Sequence, residues 1–421
     1  MLSTVEDLID DDEIVDDDPA SLEYTAAVTE IQTVRCSQWQ RACISHATEV
    51  VLSHYGLGKR GAEALARSLA KHVHICTLDL SDNGLGGEGV TSVLTALQQR
   101  NAAPSLRFMS LRQNQAGQEG AEAVAEFLRS NHPLASLDLS SNALCSKGAG
   151  TISDGLLSNS TVTSLSLESN DIDSEGVEHL AKALATNRSL TSLSLEWNSI
   201  SKEGAQALSE LLIDDSLALA ALNLGWNGLG DAGATLLSNA ITVRPSEGTL
   251  RDVRLHHNRL SAEAAVPLSR ALSGLDVLDV SGNALGASGA AVLLLAQQEL
   301  QVAADEKENA DGAGVRRCQL KMEDVCVRPD TSLAGLVMRA AAGDAIPIGE
   351  MEASGVQAAA AIALRSAKPP PKPPKAKKGG KQPAPGEEPW VRDPNAAAPS
   401  ASKPAGKVKD LQPSAKGKKK R

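Results

Sequence analysis

Residues 190–200 read Leu190-Thr-Ser-Leu193-Ser-Leu195-Glu-Trp-Asn198-Ser-Ile200, and their spacing, LxxLxLxxNxL, recurs along the sequence. Leu193 and Leu195 are two positions apart, so they lie on the same face of a short strand. Leu190 and Ile200 close the apolar layer around them. Asn198 stands where the chain leaves the strand, and its amide can satisfy backbone groups that the turn leaves unpaired. One such buried group left unsatisfied would cost about 1–3 kcal/mol.

The same pattern occurs in nine copies. Its asparagine position falls at residues 55, 83, 114, 142, 170, 198, 227, 258 and 283, with Tyr55 in the first, degenerate copy. The gaps are 28, 31, 28, 28, 28, 29, 31 and 25 residues. After the turn, apolar residues such as Ala205, Leu208 and Leu212 follow at helical spacing. Each copy is therefore predicted to be a strand, a turn and a helix, and stacked copies would share one core.

These residues resemble leucine-rich repeats, and the frequent 28-residue period with a full helix is similar to the ribonuclease-inhibitor-like subfamily. The resemblance implies an α/β solenoid that is curved, with parallel strands on the concave face and helices on the convex face. It covers about residues 47–300. We expect residues 21–46 to form a helical N-terminal cap and residues 301–366 a C-terminal helical cap region, in which residues 318–322 have the alternation of one further strand.

Charge and proline are concentrated at the two ends. Nine acidic residues and no basic one lie between Glu6 and Asp18, so residues 1–20 are predicted to be an acidic disordered N-terminus. Residues 367–421 contain 12 of the 19 prolines, and from Lys368 onward 15 Lys and Arg stand against 4 Asp and Glu. This basic Pro/Lys/Ala-rich tail is also predicted to be disordered. It is interpreted as a solubilising linker, a segment that contacts an acidic surface or, at its end, a nuclear localisation signal.

The sequence argues against a membrane protein, a secreted protein and a disulfide-stabilised scaffold. No apolar run approaches the roughly 20 residues that span a bilayer, and the N-terminus lacks the pattern of a signal peptide. The six cysteines show no CxxC, which favours reduced thiols and a cytoplasmic location. A cilium, the cytoskeleton or the nucleus are alternative locations.

Glycine motifs in the repeats look like phosphate sites at first sight. Three stretches match GxGxxG and begin at Gly56, Gly84 and Gly228. Because all three fall on the same columns of the repeat, we interpret them as strand-to-helix turns rather than as dinucleotide fingerprints. We also expect His72 and His74 to lie at a helix end in solvent.

Aromatic residues mark the candidate binding site. They make up only 2% of the chain, yet Trp197 and Trp226 occupy the eighth position of adjacent copies, which is predicted to face the concave side. His257 follows in that column, with His256 beside it and Arg254 two residues earlier. Trp and Arg are enriched among interface hot spots. We therefore predict that these five residues bind a protein partner, the alternative being that the tryptophans only pack on each other.

Acidic residues accompany this site. Glu168 and Glu196 stand in the seventh column and belong to the predicted site, while Asp79, Asp138 and Asp279 stand in the fifth. Recognition of a basic partner and a solvated surface are both compatible with this pattern. The histidine pair has no third ligand near it in the repeat frame, and no familiar catalytic order occurs. We predict no catalytic residue, no metal and no cofactor.

The sequence thus favours a non-enzymatic interaction scaffold that binds a protein partner on the concave face, without membrane contact or a small-molecule substrate. Two alternatives stay open. Ran GTPase-activating proteins resemble this chain in repeat type and length, but they typically end in an acidic tail whereas this chain ends in a basic one. Several ciliary proteins share the repeat subfamily, and a Lys/Pro-rich tail suits acidic tubulin tails, as expected for an axonemal or cytoskeletal scaffold.

Overall fold

A computed structural model describes residues 18–214, 217–243, 249–311 and 318–323. Within these ranges, short strands alternate with helices, and ten strands form one parallel sheet in strict chain order. The strands are β1 Glu49–Val51, β2 Thr77–Asp79, β3 Phe108–Ser110, β4 Ser136–Asp138, β5 Ser164–Ser166, β6 Ser192–Ser194, β7 Ala221–Asn223, β8 Asp252–Arg254, β9 Val277–Asp279 and β10 Gln319–Lys321.

Within the described ranges, two α-helices precede β1, and one α-helix follows each strand from β1 to β9. They are α1 Pro19–Ile31, α2 Ser37–Ile44, α3 Gly58–Leu69, α4 Gly86–Leu97, α5 Gly117–Arg129, α6 Cys145–Leu156, α7 Ser174–Leu184, α8 Lys202–Leu212, α9 Gly230–Val243, α10 Ala262–Ala271 and α11 Gly286–Asp311. This arrangement confirms the predicted α/β leucine-rich-repeat solenoid, in which every copy from β1 to β9 contributes a strand followed by a helix.

The apolar pattern of each copy builds one continuous core. Leu193 of β6 pairs in register with Leu165 of β5 and Leu222 of β7, and all three side chains are buried. From the helix side, Leu208 and Leu212 of α8 are buried against this layer. The residues on either side of each strand leucine are turned away from the core, as the alternation predicts.

The asparagines at the ninth position of the copies, which we call the asparagine column, form hydrogen bonds with the backbone groups of the turns. Asn142 is fully buried, and its Nδ2 donates to the carbonyl oxygens of Leu111 and Leu139, each at 2.9 Å. Its Oδ1 accepts from the backbone N–H groups of Asn114 and Ala116 at 3.0 and 3.2 Å. Each amide thus joins two neighbouring copies as well as closing its own turn.

The ends of the repeat differ in part from the predictions. α1 begins at Pro19, where Asp18 Oδ1 accepts from two backbone N–H groups, so helix starts inside the stretch 1–20 predicted to be disordered. The predicted cap 21–46 contains α2 and all but the first two residues of α1. The side chains of Tyr24 and Trp39 in these helices are buried. Trp39 Nε1 donates to Ser68 Oγ at 2.7 Å across to α3.

At the C-terminal end, α11 runs to Asp311, beyond the predicted repeat boundary at residue 300. The predicted further strand is confirmed as β10, which pairs in parallel with β9 inside the region 301–366 that was expected to be helical. The rest of that region beyond residue 323, the basic tail 367–421 and residues 1–17 lie outside the described residues.

The glycine motifs are turns, as interpreted from the sequence. α3 and α4 begin at the second glycine of their motifs, Gly58 and Gly86, which have φ of +57° and +65°. Glycine adopts this left-handed conformation without steric cost. Within the described ranges, the structure has no helix that is both long enough and apolar enough to cross a membrane.

One expectation about histidines is wrong. His72 is buried, with 3% of its surface exposed, because its ring packs against Trp39 and its Nε2 donates to the carbonyl oxygen of Ala42 at 3.3 Å. His132 is similarly buried and donates to the carbonyl oxygen of Ala102 at 3.1 Å. Burial lowers the pKa of both imidazoles. His74 is exposed, as expected.

Candidate functional site

The eighth position of each copy has an unusual backbone conformation that sets the site. Trp197, Trp226 and His257, which we call the aromatic column, have φ of 55°, 52° and 53°. Positive φ is uncommon outside glycine. Their N–H groups nevertheless continue the parallel ladder, donating to the carbonyls of Gly225, His256 and Ser281 at 3.0, 2.9 and 2.9 Å. The three side chains therefore lie side by side on three consecutive copies.

The aromatic column is a continuous stack. The rings of Trp197 and Trp226 lie 4.0 Å apart between centroids with an interplanar angle of 10°, and those of Trp226 and His257 lie 3.8 Å apart at 17°. Trp197 is 51% exposed and Trp226 38% exposed. Stacked aromatic pairs contribute about 0.5–1.5 kcal/mol beyond their area burial. The result is a rigid aromatic surface that solvent still reaches.

Two glycines make room for the histidines. A Cβ on Gly225 would overlap the ring of His256, and one on Gly282 would overlap the ring of His257. His256 therefore extends across the copy of β7, and its Nε2 lies 3.1 Å from Glu196 Oε1 in the copy of β6. Sequence reasoning missed both glycines. The available signal was the loss of a side chain at the seventh and eighth positions, beside residues with large rings.

Glu196 and His256 form a half-buried polar support beside the aromatic column. The second oxygen of Glu196, Oε2, accepts from Asn223 Nδ2 at 2.8 Å, so both carboxylate oxygens have partners. On its other side, His256 Nδ1 lies 3.9 Å from Asp279 Oδ2. The side chain of His256 is 16% exposed and that of Glu196 is 21% exposed. The ring of His256 meets that of His257 edge to face, with centroids 6.0 Å apart. The Glu196–His256 pair thus contacts the aromatic column at its His257 end.

Arg254 is already paired. Its Nε and Nη2 donate to the two carboxylate oxygens of Asp252 at 3.1 and 2.9 Å. The hydrogen bond with Asp252 is the main cause that raises the pKa of the Arg254 guanidinium. Bidentate pairing of this kind holds the guanidinium in place. Arg254 thus adds a fixed, locally balanced charge to the strand face, by which we mean the side of the sheet opposite the helices.

The carboxylates of the acidic residues differ in their hydrogen-bond and ion-pair partners. Asp138 accepts from the backbone N–H of Ser140 at 2.9 Å, which closes its own turn. Glu168 accepts from Ser194 Oγ at 2.8 Å through Oε1, while its Oε2 has a cation, Arg112 Nη1, at 3.9 Å. Glu168 Oε2, whose ion-pair partner lies beyond hydrogen-bond distance, can therefore accept a further hydrogen bond.

Comparison with known proteins agrees with this architecture. A family model described as a leucine-rich repeat matches residues 72–94, 158–181, 186–209 and 219–238. The chain is a leucine-rich-repeat protein. The match does not specify the ribonuclease-inhibitor-like subfamily, which stays a prediction.

Three solved structures are similar to this leucine-rich-repeat protein at low sequence identity and low TM-score. LegL7 from Legionella pneumophila is 17% identical over 76% of this chain and 95% of its own, with a TM-score of 0.44. An internalin from Listeria monocytogenes is 15% identical over 73% of this chain and 91% of its own, with a TM-score of 0.33. Actin-binding site 2 of leiomodin-1 is 17% identical over 45% of this chain and 96% of its own, with a TM-score of 0.31.

The leucine-rich-repeat protein brings most of the predicted site residues into one region of its strand face. The aromatic column is one stack, and Glu196 and His256 form the pair beside it. Glu168 stands in the copy next to Trp197, whereas Arg254 is paired with Asp252. In the part of the chain that the structure describes, no group of three or more His, Cys, Asp or Glu side chains is placed to hold a metal ion.

Proposed function

We propose that this leucine-rich-repeat protein is a non-enzymatic interaction scaffold that binds a protein partner on its strand face, at the sixth to eighth copies. The observation that carries the proposal is the aromatic column. Trp197 and Trp226 are 51% and 38% exposed, in a chain with 2% aromatic residues. Tryptophan is the side chain most enriched among interface hot spots, and repeat solenoids use extended faces of this kind for binding.

Preorganisation supports the same proposal. The stack, the glycines that accommodate the histidine rings and the Glu196–His256 pair hold the aromatic column in place before a partner arrives. Ordering a flexible side chain on binding costs about 0.5–1.5 kcal/mol. Much of that cost is absent here, so the surface can gain affinity from contacts that would be weak on a mobile side chain.

The proposal is tested by capture in the native cell with three forms of the full chain. The first is the unaltered protein and the second carries Trp197→Ala with Trp226→Ala. The third, a matched control, carries Leu157→Ala with Ile213→Ala, because these residues are 53% and 45% exposed but lie at helix ends. A partner that is retained by the control and lost from the tryptophan variant supports the proposal. Retention of every partner by the tryptophan variant contradicts it.

A further inference from the structure

We infer that the partner group at this site is an arginine side chain, whose guanidinium stacks on the outer face of Trp197 and forms hydrogen bonds with Glu168. The inference rests on the proposed function, since it presumes that a protein partner uses the aromatic column. It adds the chemistry of the contact and the copy on which it lies.

The outer face of Trp197 is the open end of the stack. Trp226 lies between Trp197 and His257, so both of its ring faces are covered, and the ring of His257 lies over Gly282. Within the described ranges, Trp197 has one ring neighbour, Trp226. Because the rings stack along the column, the other face of its indole is turned towards the fifth copy.

The fifth copy leaves room for one more planar group. Its eighth position is Ser169, whose short side chain does not fill the column. Neighbouring parallel strands are about 4.8 Å apart, and the existing rings follow one another at 3.8 to 4.0 Å. A planar guanidinium on Trp197 would therefore continue the stack by one further step, above Ser169.

A carboxylate stands beside this space. Glu168 precedes Ser169 in the chain, and its Oε2 lies 3.9 Å from Arg112 Nη1, which is beyond hydrogen-bond distance. Its side chain is 28% exposed, so a donor from a partner can reach it. An apolar group on the same face would remove water from Glu168 Oε2, whose contact with Arg112 Nη1 is longer than a hydrogen bond. Burying a charge is costly unless it is hydrogen-bonded. A cationic group compensates the carboxylate.

Arginine is better suited than lysine both to stack on Trp197 and to compensate the carboxylate of Glu168. The indole of tryptophan is the preferred ring for a cation. The guanidinium is planar and weakly hydrated, and it can stack on a ring while its N–H groups donate to a carboxylate in its own plane. The lysine ammonium is a compact, strongly hydrated charge that cannot extend a stack.

A peptide-display selection on the full chain tests the inference. Peptides that bind the unaltered protein are selected, and those that also bind the Trp197→Ala/Trp226→Ala variant are removed. The best remaining peptide is then made with arginine, lysine or citrulline at the position where the selected peptides agree most. Citrulline keeps the shape of arginine and removes its charge. We expect arginine to be enriched and its replacement by citrulline to weaken binding about tenfold or more.

Variants of the protein locate the contact. Glu168→Gln should reduce the preference for arginine over citrulline, because the neutral amide can still accept from Ser194 but no longer compensates a cation. Glu126→Gln is the matched control, since Glu126 is an exposed carboxylate on α5 that pairs with Arg129. The control should keep the full preference.

The outcomes separate this inference from the proposed function. Tryptophan-dependent peptides without arginine, or equal binding of the arginine and citrulline forms, overturn the inference and leave the proposed function intact. Equal binding of the arginine and lysine forms also overturns it, because a point charge then suffices. A selection that yields no tryptophan-dependent peptide contradicts both.

Discussion

The asparagine column and the aromatic column are neighbours in the chain but differ in what fixes them. Asn198 directly follows Trp197, yet its amide bonds to backbone groups of its own and adjacent copies, whereas the indole is half exposed. Asparagine bonds of this kind recur along the solenoid, while the ring stack occupies three copies. The asparagine that the turns of the second to ninth copies share is thus repeated, whereas the preceding position, whose side chain differs from copy to copy, is free to carry recognition.

The largest effect is expected from breaking the asparagine column. Asn142→Ala removes a side chain that donates to Leu111 and Leu139 and accepts from Ala116 in a fully buried site. Each buried group left without a partner costs about 1–3 kcal/mol. We expect the free energy of unfolding to fall by about 3 kcal/mol or more, measured by urea denaturation. A loss below about 1 kcal/mol would show that water replaces the amide and that the column is not required.

A smaller effect is expected at the support of the aromatic column. Gly225→Ala places a methyl group where the ring of His256 lies, so the ring must leave Glu196. Overpacking of this kind costs about 1–3 kcal/mol. The unfolding free energy should fall by that amount, and affinity for a partner at the aromatic column should fall with it.

Gly228→Ala is the control for that substitution. A Cβ at Gly228 meets only the carbonyl oxygen of Ile200, at 3.5 Å, which is an ordinary contact. Unchanged binding by the Gly225 variant, with a crystal structure that shows His256 still on Glu196, would mean that the glycine is not needed for the support.

His72 and His132 are buried near helix ends and donate to a carbonyl oxygen, whereas other copies use asparagine for this bond. Asn159 and Asn187 donate to the carbonyl oxygens of Leu128 and Leu156, each at 2.8 Å, where they carry no titratable group. Burial lowers the pKa of His132 from its ordinary 6.5. The unfolded state therefore binds a proton first, and stability should decrease as pH falls below about 6.5, down to the lowered folded-state pKa.

The variant His132→Gln keeps a donor for Ala102 and removes this titration. Its unfolding free energy, followed from pH 7.5 to pH 5 by urea denaturation, should fall less steeply than that of the unaltered protein. Equal slopes would show that His132 does not contribute to the acid sensitivity.

Much of the fold could be predicted from the sequence because the same spacing of leucine and asparagine recurs in copy after copy. The leucines, the asparagines and the further strand around Leu320 follow from spacing alone. The stack of Trp197 on Trp226 was also predictable, since residues in one column of adjacent copies must be neighbours. His72 was misplaced because the chain turns inward after α3, where Trp39 from α2 covers it, a contact that no local pattern indicates.

Pairing within the site was harder to predict. Arg254 matched the composition of a hot spot, but its partner Asp252 lies two residues earlier on the same strand and holds it. The contact between Glu196 and His256 joins residues two copies apart, and it depends on the absence of a side chain at Gly225. Sequence patterns describe which side chains are present in a column, whereas this contact depends on which one is missing.

Stability and binding should be measured together for the Trp197→Ala/Trp226→Ala variant, with the partner obtained by capture. We expect the unfolding free energy to fall by no more than about 2 kcal/mol, since the lost stack is half exposed. Affinity should fall at least about thirtyfold, as for hot-spot residues worth about 2 kcal/mol. Unchanged affinity in a folded variant would contradict the claim that the aromatic column carries recognition.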